Sequence, residues 1–261
     1  MTTIHINGVS LEIERISGGG QPGRAPIVFL HEGLGSVAQW TTRAGNWPQA
    51  VCQACERDGV VYSRRGYGRS DPIPDVRGVN RLAPDYMHQE AWAVLPALFQ
   101  TMGLQQPVLL GHSDGATIAL LHASQHPVSA CVVMAPHVIV ESISIEGITA
   151  AQDAYLRGTL RDRLSRHHDD VDSAFWQWND VWLSPAFRSF DIRQDCRRIS
   201  APVLAIQGRE DPYGTLQQIE DIRPDHGRIE HLVLDHCGHA PHRDQSQACI
   251  ERIAGFLAVC A

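Results

Sequence analysis

The residues best equipped for chemistry are Gly111-His112-Ser113-Asp114-Gly115. The apolar run Val108-Leu109-Leu110 precedes them, and a helical pattern begins near Ala116. This is G-x-S-x-G between a strand and a helix, the setting in which a serine hydroxyl stands clear of a sheet on a sharp, strained turn. The flanking glycines keep Cβ atoms away where strand and helix converge. The helix N-terminus beside the serine favours developing negative charge. A serine is a weak nucleophile until a base takes its proton, and that base needs a carboxylate to orient it. Two later segments supply both. Gly208-Arg209-Glu210-Asp211 follows the apolar run Val203 to Ile206, and Cys237-Gly238-His239-Ala240-Pro241 follows Leu232 to Leu234. The chain order is Ser113, Asp211, His239, each just after an expected strand. Loops at the carboxyl ends of parallel strands converge on one edge of a sheet.

Those strands belong to a wider rhythm. Ile27 to Leu30, Val60 to Tyr62, Val108 to Leu110, Cys131 to Met134, Val203 to Ile206 and Leu232 to Leu234 are short and continuously apolar, as strands buried on both faces are. Helical patterns run between or beyond them at Tyr86 to Met102, Ala116 to Ala123 and Ser246 to Val259. Ile4 and Ile6, then Val9, Leu11 and Ile13, alternate about Asn7-Gly8 and read as a hairpin; a loop rich in Gly and Pro follows from Ser17 to Pro26. Alternating strands and helices predict an α/β protein with a mostly parallel central sheet. The rhythm breaks between about Val140 and Arg198, a charged helical stretch holding three of the six tryptophans. Residues 1–139 and 199–261 are expected to form the core and 140–198 a helical cap inserted in it. A separate small domain is the alternative, weakened by the lack of a flexible linker.

At these residues the chain resembles the α/β-hydrolase superfamily, in its serine-nucleophile branch of esterases, thioesterases and lactonases. The resemblance spans nearly the whole chain. It rests on Leu30-His31-Glu32-Gly33-Leu34-Gly35, Arg65-Gly66-Tyr67-Gly68-Arg69-Ser70, Gly111 to Gly115, Gly208 to Asp211, and Gly238-His239. It implies Ser113 as nucleophile, His239 as general base then acid, and Asp211 as the partner fixing the imidazole tautomer. It also implies an oxyanion hole from the backbone N–H groups of Asp114 and Gly33, with Leu34 as second choice for the latter. Two residues depart from the pattern. Glu32 stands where a glycine is frequent, and Ser63 stands where an acid is frequent, two before Arg65. Glu32 is expected to be solvated or structurally paired, and Arg64, Arg65 and Arg69 to serve a structural turn rather than an anion site.

The remaining candidates carry milder expectations. Leu34 and His137 are expected to line the pocket. Phe175, Trp178 and Trp182 form one helical stripe that reads as core, so Trp176, off the stripe, is the expected substrate contact. The Asp114 side chain is expected to cap the following helix rather than attract a cationic group. His236, His239 and His242, and His167-His168-Asp169-Asp170, lack the spacing of a converging zinc site, so no metal is expected. Cys52 and Cys55 form a C-x-x-C in a helical stretch with no redox context.

The 261 residues suit one large domain with a sizeable core. A composition of 43% apolar and 20% charged residues is that of a globular chain. With 22 basic and 29 acidic residues the formal charge is −7, which speaks against a nucleic-acid partner and a polybasic membrane anchor. No run approaches the ~18 apolar residues of a spanning helix, and no secretory leader is legible. Seven cysteines without a disulfide-like rhythm suit a reducing cytoplasm. The expected protein is a cytoplasmic serine hydrolase, monomeric or a small homo-oligomer. It cleaves a carboxylic ester, thioester or lactone of a small to medium organic acid through an acyl-enzyme, with no metal or organic cofactor. Carbon–carbon bond hydrolysis and cofactor-free perhydrolysis use the same triad and stay open. A ligand-binding protein with little turnover and a metal-dependent hydrolase are the readings of other classes.

Overall fold

In the computed structural model, which describes residues 2–21, 23–42 and 45–260, eight strands join in one sheet. They are β1 (Thr2–Ile6), β2 (Val9–Ile16), β3 (Ile27–Leu30), β6 (Gly59–Tyr62), β7 (Val108–His112), β8 (Ala130–Met134), β9 (Val203–Gly208) and β10 (Ile229–Leu234). The two-residue strands β4 (Thr41–Thr42) and β5 (Gly45–Asn46) pair apart from it. The sheet order is β1-β2-β6-β3-β7-β8-β9-β10, and only β2 runs against its neighbours. Asn7 (φ 50°) and Gly8 (φ 80°) close the β1–β2 hairpin; positive φ at both central residues is the turn whose twist suits paired strands. Pro22, in the expected Gly/Pro loop, and Met1 lie outside the described residues.

The continuously apolar strands are explained by two cores. Val28, Leu30, Leu109, Cys131 and Val133 belong to one, and Ile27, Phe29, Leu110, Val132 and Met134 to the other. Alternate side chains along each strand leave opposite faces, so these inner strands are apolar on both. Helices α1 (Trp47–Cys55) and α11 (Ser246–Ala258) cover one face. Helices α2 (Tyr86–Gln89), α3 (Leu95–Met102) and α4 (Asp114–Ala123) contribute to the other. Between α2 and α3 a π turn spans Glu90–Val94, where the sequence pattern predicts an uninterrupted helix. Pro96 lacks an N–H, so the ordinary ladder fails there and a wider turn accommodates the break.

The stretch between β8 and β9 holds α5 (Ser142–Leu156), α6 (Thr159–Leu164), α7 (Val171–Trp182), a 3₁₀ turn (Pro185–Ser189) and α8 (Arg193–Arg197). Short helices α9 (Gln217–Glu220) and α10 (Pro241–Asp244) complete the described elements. Register aligns the strand ends that matter. Leu30 pairs with Gly111, His112 with Met134, Met134 with Ile206, and Gly208 with Leu234. The loops after β3, β7, β8, β9 and β10 therefore leave the sheet side by side.

Candidate active site

Ser113 sits between β7 and α4 at φ 54° and ψ −121°. A non-glycine residue held there stores about 1–3 kcal/mol of strain. The surrounding structure enforces it. The Ser113 N–H donates to the Met134 carbonyl at 2.9 Å, and its own carbonyl accepts from Ala116 and Thr117 at 2.9 and 3.0 Å. A Cβ on Gly111 would stand 2.2 Å from the Gly115 carbonyl oxygen, and one on Gly115 2.1 Å from that of Leu30. Glycine at both positions lets the helix start directly against the strand.

His239 Nε2 lies 3.0 Å from Ser113 Oγ, and its Nδ1 lies 2.9 and 2.8 Å from the two oxygens of Asp211. Gly208 brings the two loops together, since a Cβ there would meet the carbonyls of Cys237 and Gly238 at 2.3 Å each. Asp211 also accepts from the Tyr213 N–H and from Gln207 Nε2, both at 2.8 Å. Burial pushes the Asp211 carboxyl up, but the His239 hydrogen bond and charge, aided by the Tyr213 N–H, hold it below the usual carboxylate range. A carboxylate at Nδ1 keeps the proton on that nitrogen, which leaves Nε2 to accept the serine proton. The three expected side chains thus meet.

The N–H groups of Gly33 and Asp114 donate to no protein group among the described residues, and both residues line the cleft beside Ser113. The β3 loop carrying Gly33 is clamped from two sides. The buried Arg64 guanidinium donates to the carbonyls of His31 (2.6 Å) and Glu32 (2.9 Å), and the Arg64 N–H donates to His31 Nε2 (3.0 Å). From the helical stretch, His168 Nε2 donates to the Leu34 carbonyl (3.0 Å) while its Nδ1 accepts from the Gly68 N–H (2.9 Å). Arg64 is structural, as expected. The acid missing at Ser63 is supplied by β2, where Glu12 accepts from the Ser63 hydroxyl (2.8 Å) and the Arg69 N–H (3.0 Å).

A small, partly open cleft lies over Ser113. Gly33, Leu34 and His137 line it as expected, and Glu32, Ile148, Trp178, Trp182 and Tyr213 line it too. Trp176 does not: the Arg77 guanidinium stacks 3.7 Å over its ring, and it packs edge-on against Phe175 and Tyr155. The expectation for Trp176 is therefore overturned. Successive helical residues turn by about 100°, so Trp178 and Trp182, four apart, share the cleft side of α7, and Trp176 is some 200° from Trp178. The stripe is core along most of its surface and cleft wall at its edge. Tyr213 was also missed; its place two residues after Asp211 was the signal, and its ring lies 4.7 Å from that of His239.

The Asp114 side chain caps no helix. Its Oδ2 accepts from the Tyr86 hydroxyl at 2.5 Å, that hydroxyl accepts from Trp182 Nε1 at 3.0 Å, and Asp114 Oδ1 is buried without a partner. Burial pushes the Asp114 carboxyl up against the opposing pull of Arg64 and Tyr86. Glu32 is paired only loosely, 3.7 Å from His112 Nδ1 and 3.9 Å from Arg243. Burial pushes its carboxyl up, yet His112, Arg243 and His239 outweigh that and hold it below the usual range. Burial lowers His137 to about 3 and His112 to about 4, so both rings are neutral near pH 7. His242 packs between His112 and the Trp40–Trp47 stack, far from a ligand posture. Cys52 and Cys55 are buried thiols pushed up to about 12 and about 11.

Comparison with known proteins bears on the family and the fold. The chain is 22% identical over 225 residues to a bifunctional esterase/perhydrolase of Acinetobacter calcoaceticus, covering 73% of this chain and 76% of that one. It is 24% identical over 261 residues to an sn-1-specific diacylglycerol lipase of Mus musculus, covering 89% and 80%. Among solved structures, the enol-lactonase from Burkholderia xenovorans LB400 superposes with a TM-score of 0.70 at 17% identity, covering 98% of this chain and all of that one. A bacterial membrane phospholipase A gives 0.74 at 16% identity, covering 98% and 85%. At such identities the structural likeness speaks for the fold alone. The model of the alpha/beta hydrolase family matches residues 27–252, and the chain belongs to that family.

Proposed function

We propose that this α/β hydrolase is a serine hydrolase that cleaves a carboxylic ester, thioester or lactone of a small to medium organic acid through an acyl-enzyme. The observation that carries this reading is the unbroken chain Ser113 Oγ–His239–Asp211, with contacts of 3.0, 2.9 and 2.8 Å. Ser113 Oγ attacks the substrate carbonyl carbon as its proton passes to His239 Nε2. The carbonyl oxygen becomes an oxyanion that accepts from the N–H groups of Gly33 and Asp114, donors worth roughly 10²–10³ in rate apiece. His239 then gives its proton to the departing oxygen or sulfur as the carbon–heteroatom bond breaks. Water repeats the sequence on the acyl-enzyme and releases the acid. Asp211 remains a carboxylate throughout and stabilises the imidazolium.

Residues 140–198 act in this reading as a cap, since Ile148, Trp178 and Trp182 come from that stretch and line the cleft. Their apolar and aromatic surfaces suit an apolar or aromatic portion of the substrate. The seven cysteines are free and buried, which supports a reducing, cytoplasmic setting, and no helix among the described residues is long and apolar enough to cross a membrane. A panel of p-nitrophenyl esters of graded acyl length, aromatic esters and acyl thioesters, run on wild type and Ser113→Ala, tests the reading. Turnover of at least one class, abolished by the substitution, is expected. Equal turnover by Ser113→Ala rejects the assignment.

A further inference from the structure

The cleft has a marked charge asymmetry. Among the described residues its lining holds one partly exposed carboxylate, that of Glu32, and no arginine or lysine; the Asp114 carboxyl lies buried below it, bonded to Tyr86. The Glu32 carboxylate is incompletely neutralised: its cationic neighbour Arg243 is 3.9 Å away on a substantially exposed side chain, and its other neighbour, His112, is neutral near pH 7. The Asp114 carboxyl is fully buried, and Oδ1 has no hydrogen-bond partner. Trp178, Trp182 and Tyr213 bring three electron-rich rings to the same cleft. Aromatic rings beside a carboxylate attract cations, and most of all weakly hydrated ammonium groups. The same field repels a substrate carboxylate or phosphate from the space around Ser113.

We propose that the substrate carries a positively charged amino or quaternary ammonium group, held between the Glu32 carboxylate and the rings of Trp178 and Tyr213. This rests on the serine-hydrolase reading and narrows it: the sign of the cleft disfavours anionic leaving groups such as nucleotide-bearing thioesters. Tyr213 is placed for the task by the short turn that also gives its N–H to Asp211.

The test uses isosteres that differ in charge and little else. On the acyl side these are the p-nitrophenyl esters of 4-(trimethylammonio)butanoate, 5,5-dimethylhexanoate and glutarate (the monoester). On the alcohol side they are butyrylcholine and 3,3-dimethylbutyl butyrate. In at least one series the cation is expected to exceed its neutral isostere by about tenfold or more in kcat/KM, with the anion lowest. Glu32→Gln and, as a second variant, Tyr213→Leu should each cut that ratio to below about threefold, and added salt should shrink it. A ratio of one or less in both series, or a ratio unchanged in Glu32→Gln, overturns the proposal. Choline titrated into Ser113→Ala by calorimetry, against 3,3-dimethylbutanol, reads recognition without turnover. Choline binding weakened by Glu32→Gln supports the ammonium site even if no ester is cleaved, which would count only against the hydrolase reading. Equal binding of the two alcohols counts against the ammonium site alone.

Discussion

Ser113, Asp211 and His239 stand on turns at strand ends, whereas Ile148, Trp178 and Trp182 reach the same cleft from helices α5 and α7. The first group is placed by sheet register and by close backbone approaches at Gly111, Gly115 and Gly208, where a side chain has no room. In the second group Trp178 and Trp182 are placed by how α7 is rotated as its apolar side packs against Tyr155 and Phe187, and Ile148 by α5. Backbone constraint leaves the reacting groups little room to shift. Helix packing leaves the wall of the cleft freer to vary, and so better suited to setting selectivity.

If that division holds, substitutions at the edge should strike turnover and those in the wall should shift preference. Ser113→Ala is expected to lower kcat by about 10⁴–10⁶ on any accepted ester, read by steady-state kinetics. Asp211→Asn should cost about 10⁴ in kcat with little change in folding, because the wrong tautomer leaves Nε2 protonated. Acid acts on both regions at once. His112, His137 and His168 are buried at about 4, 3 and 4, below the ~6.5 of an unfolded chain. Their contribution to stability is complete above about pH 6.5 and is lost as pH falls from there through the folded values. Denaturant titrations between pH 7 and 5 should show unfolding taking up about two to three protons from these groups near pH 5.

Arg64→Ala removes the clamp on the Gly33 loop and should lower kcat by about 10²–10³ with a much smaller change in KM. An equal loss in both would show that Arg64 does not act through the oxyanion hole. In the wall, Trp178→Ala should change relative kcat/KM across an acyl series by about tenfold, with the ester of best fit moving toward larger groups. Trp176→Phe should change kcat/KM by less than about threefold on every ester, since the ring faces Arg77 and not the cleft. A large selectivity change from that substitution would erase the contrast between the two tryptophans.

The same contrast explains what was legible in the sequence. Five of the six apolar runs gave inner parallel strands buried on both faces, the sixth, Leu232 to Leu234, gave the half-buried edge strand β10 that has a neighbour on one side only, and each triad residue was found from its position just after a run. Trp178 and Trp182 were read as core because a helical stripe reports which residues share a side, not where that side ends against a cavity. Asp114 was read as a helix cap because its partner, Tyr86, is 28 residues away and only the folded chain brings the hydroxyl to it. Glu12 stands in for the acid absent at Ser63 from 51 residues upstream, a substitution in space that no local pattern announces.

The central claim is that the Ser113 hydroxyl, its proton drawn by His239, is the nucleophile. Intact-protein and peptide mass spectrometry after treatment with a fluorophosphonate reads this directly. One adduct on Ser113 is expected, absent in Ser113→Ala and strongly slowed in His239→Ala. Folded protein that takes up no label, or takes it up at another residue, would contradict the account.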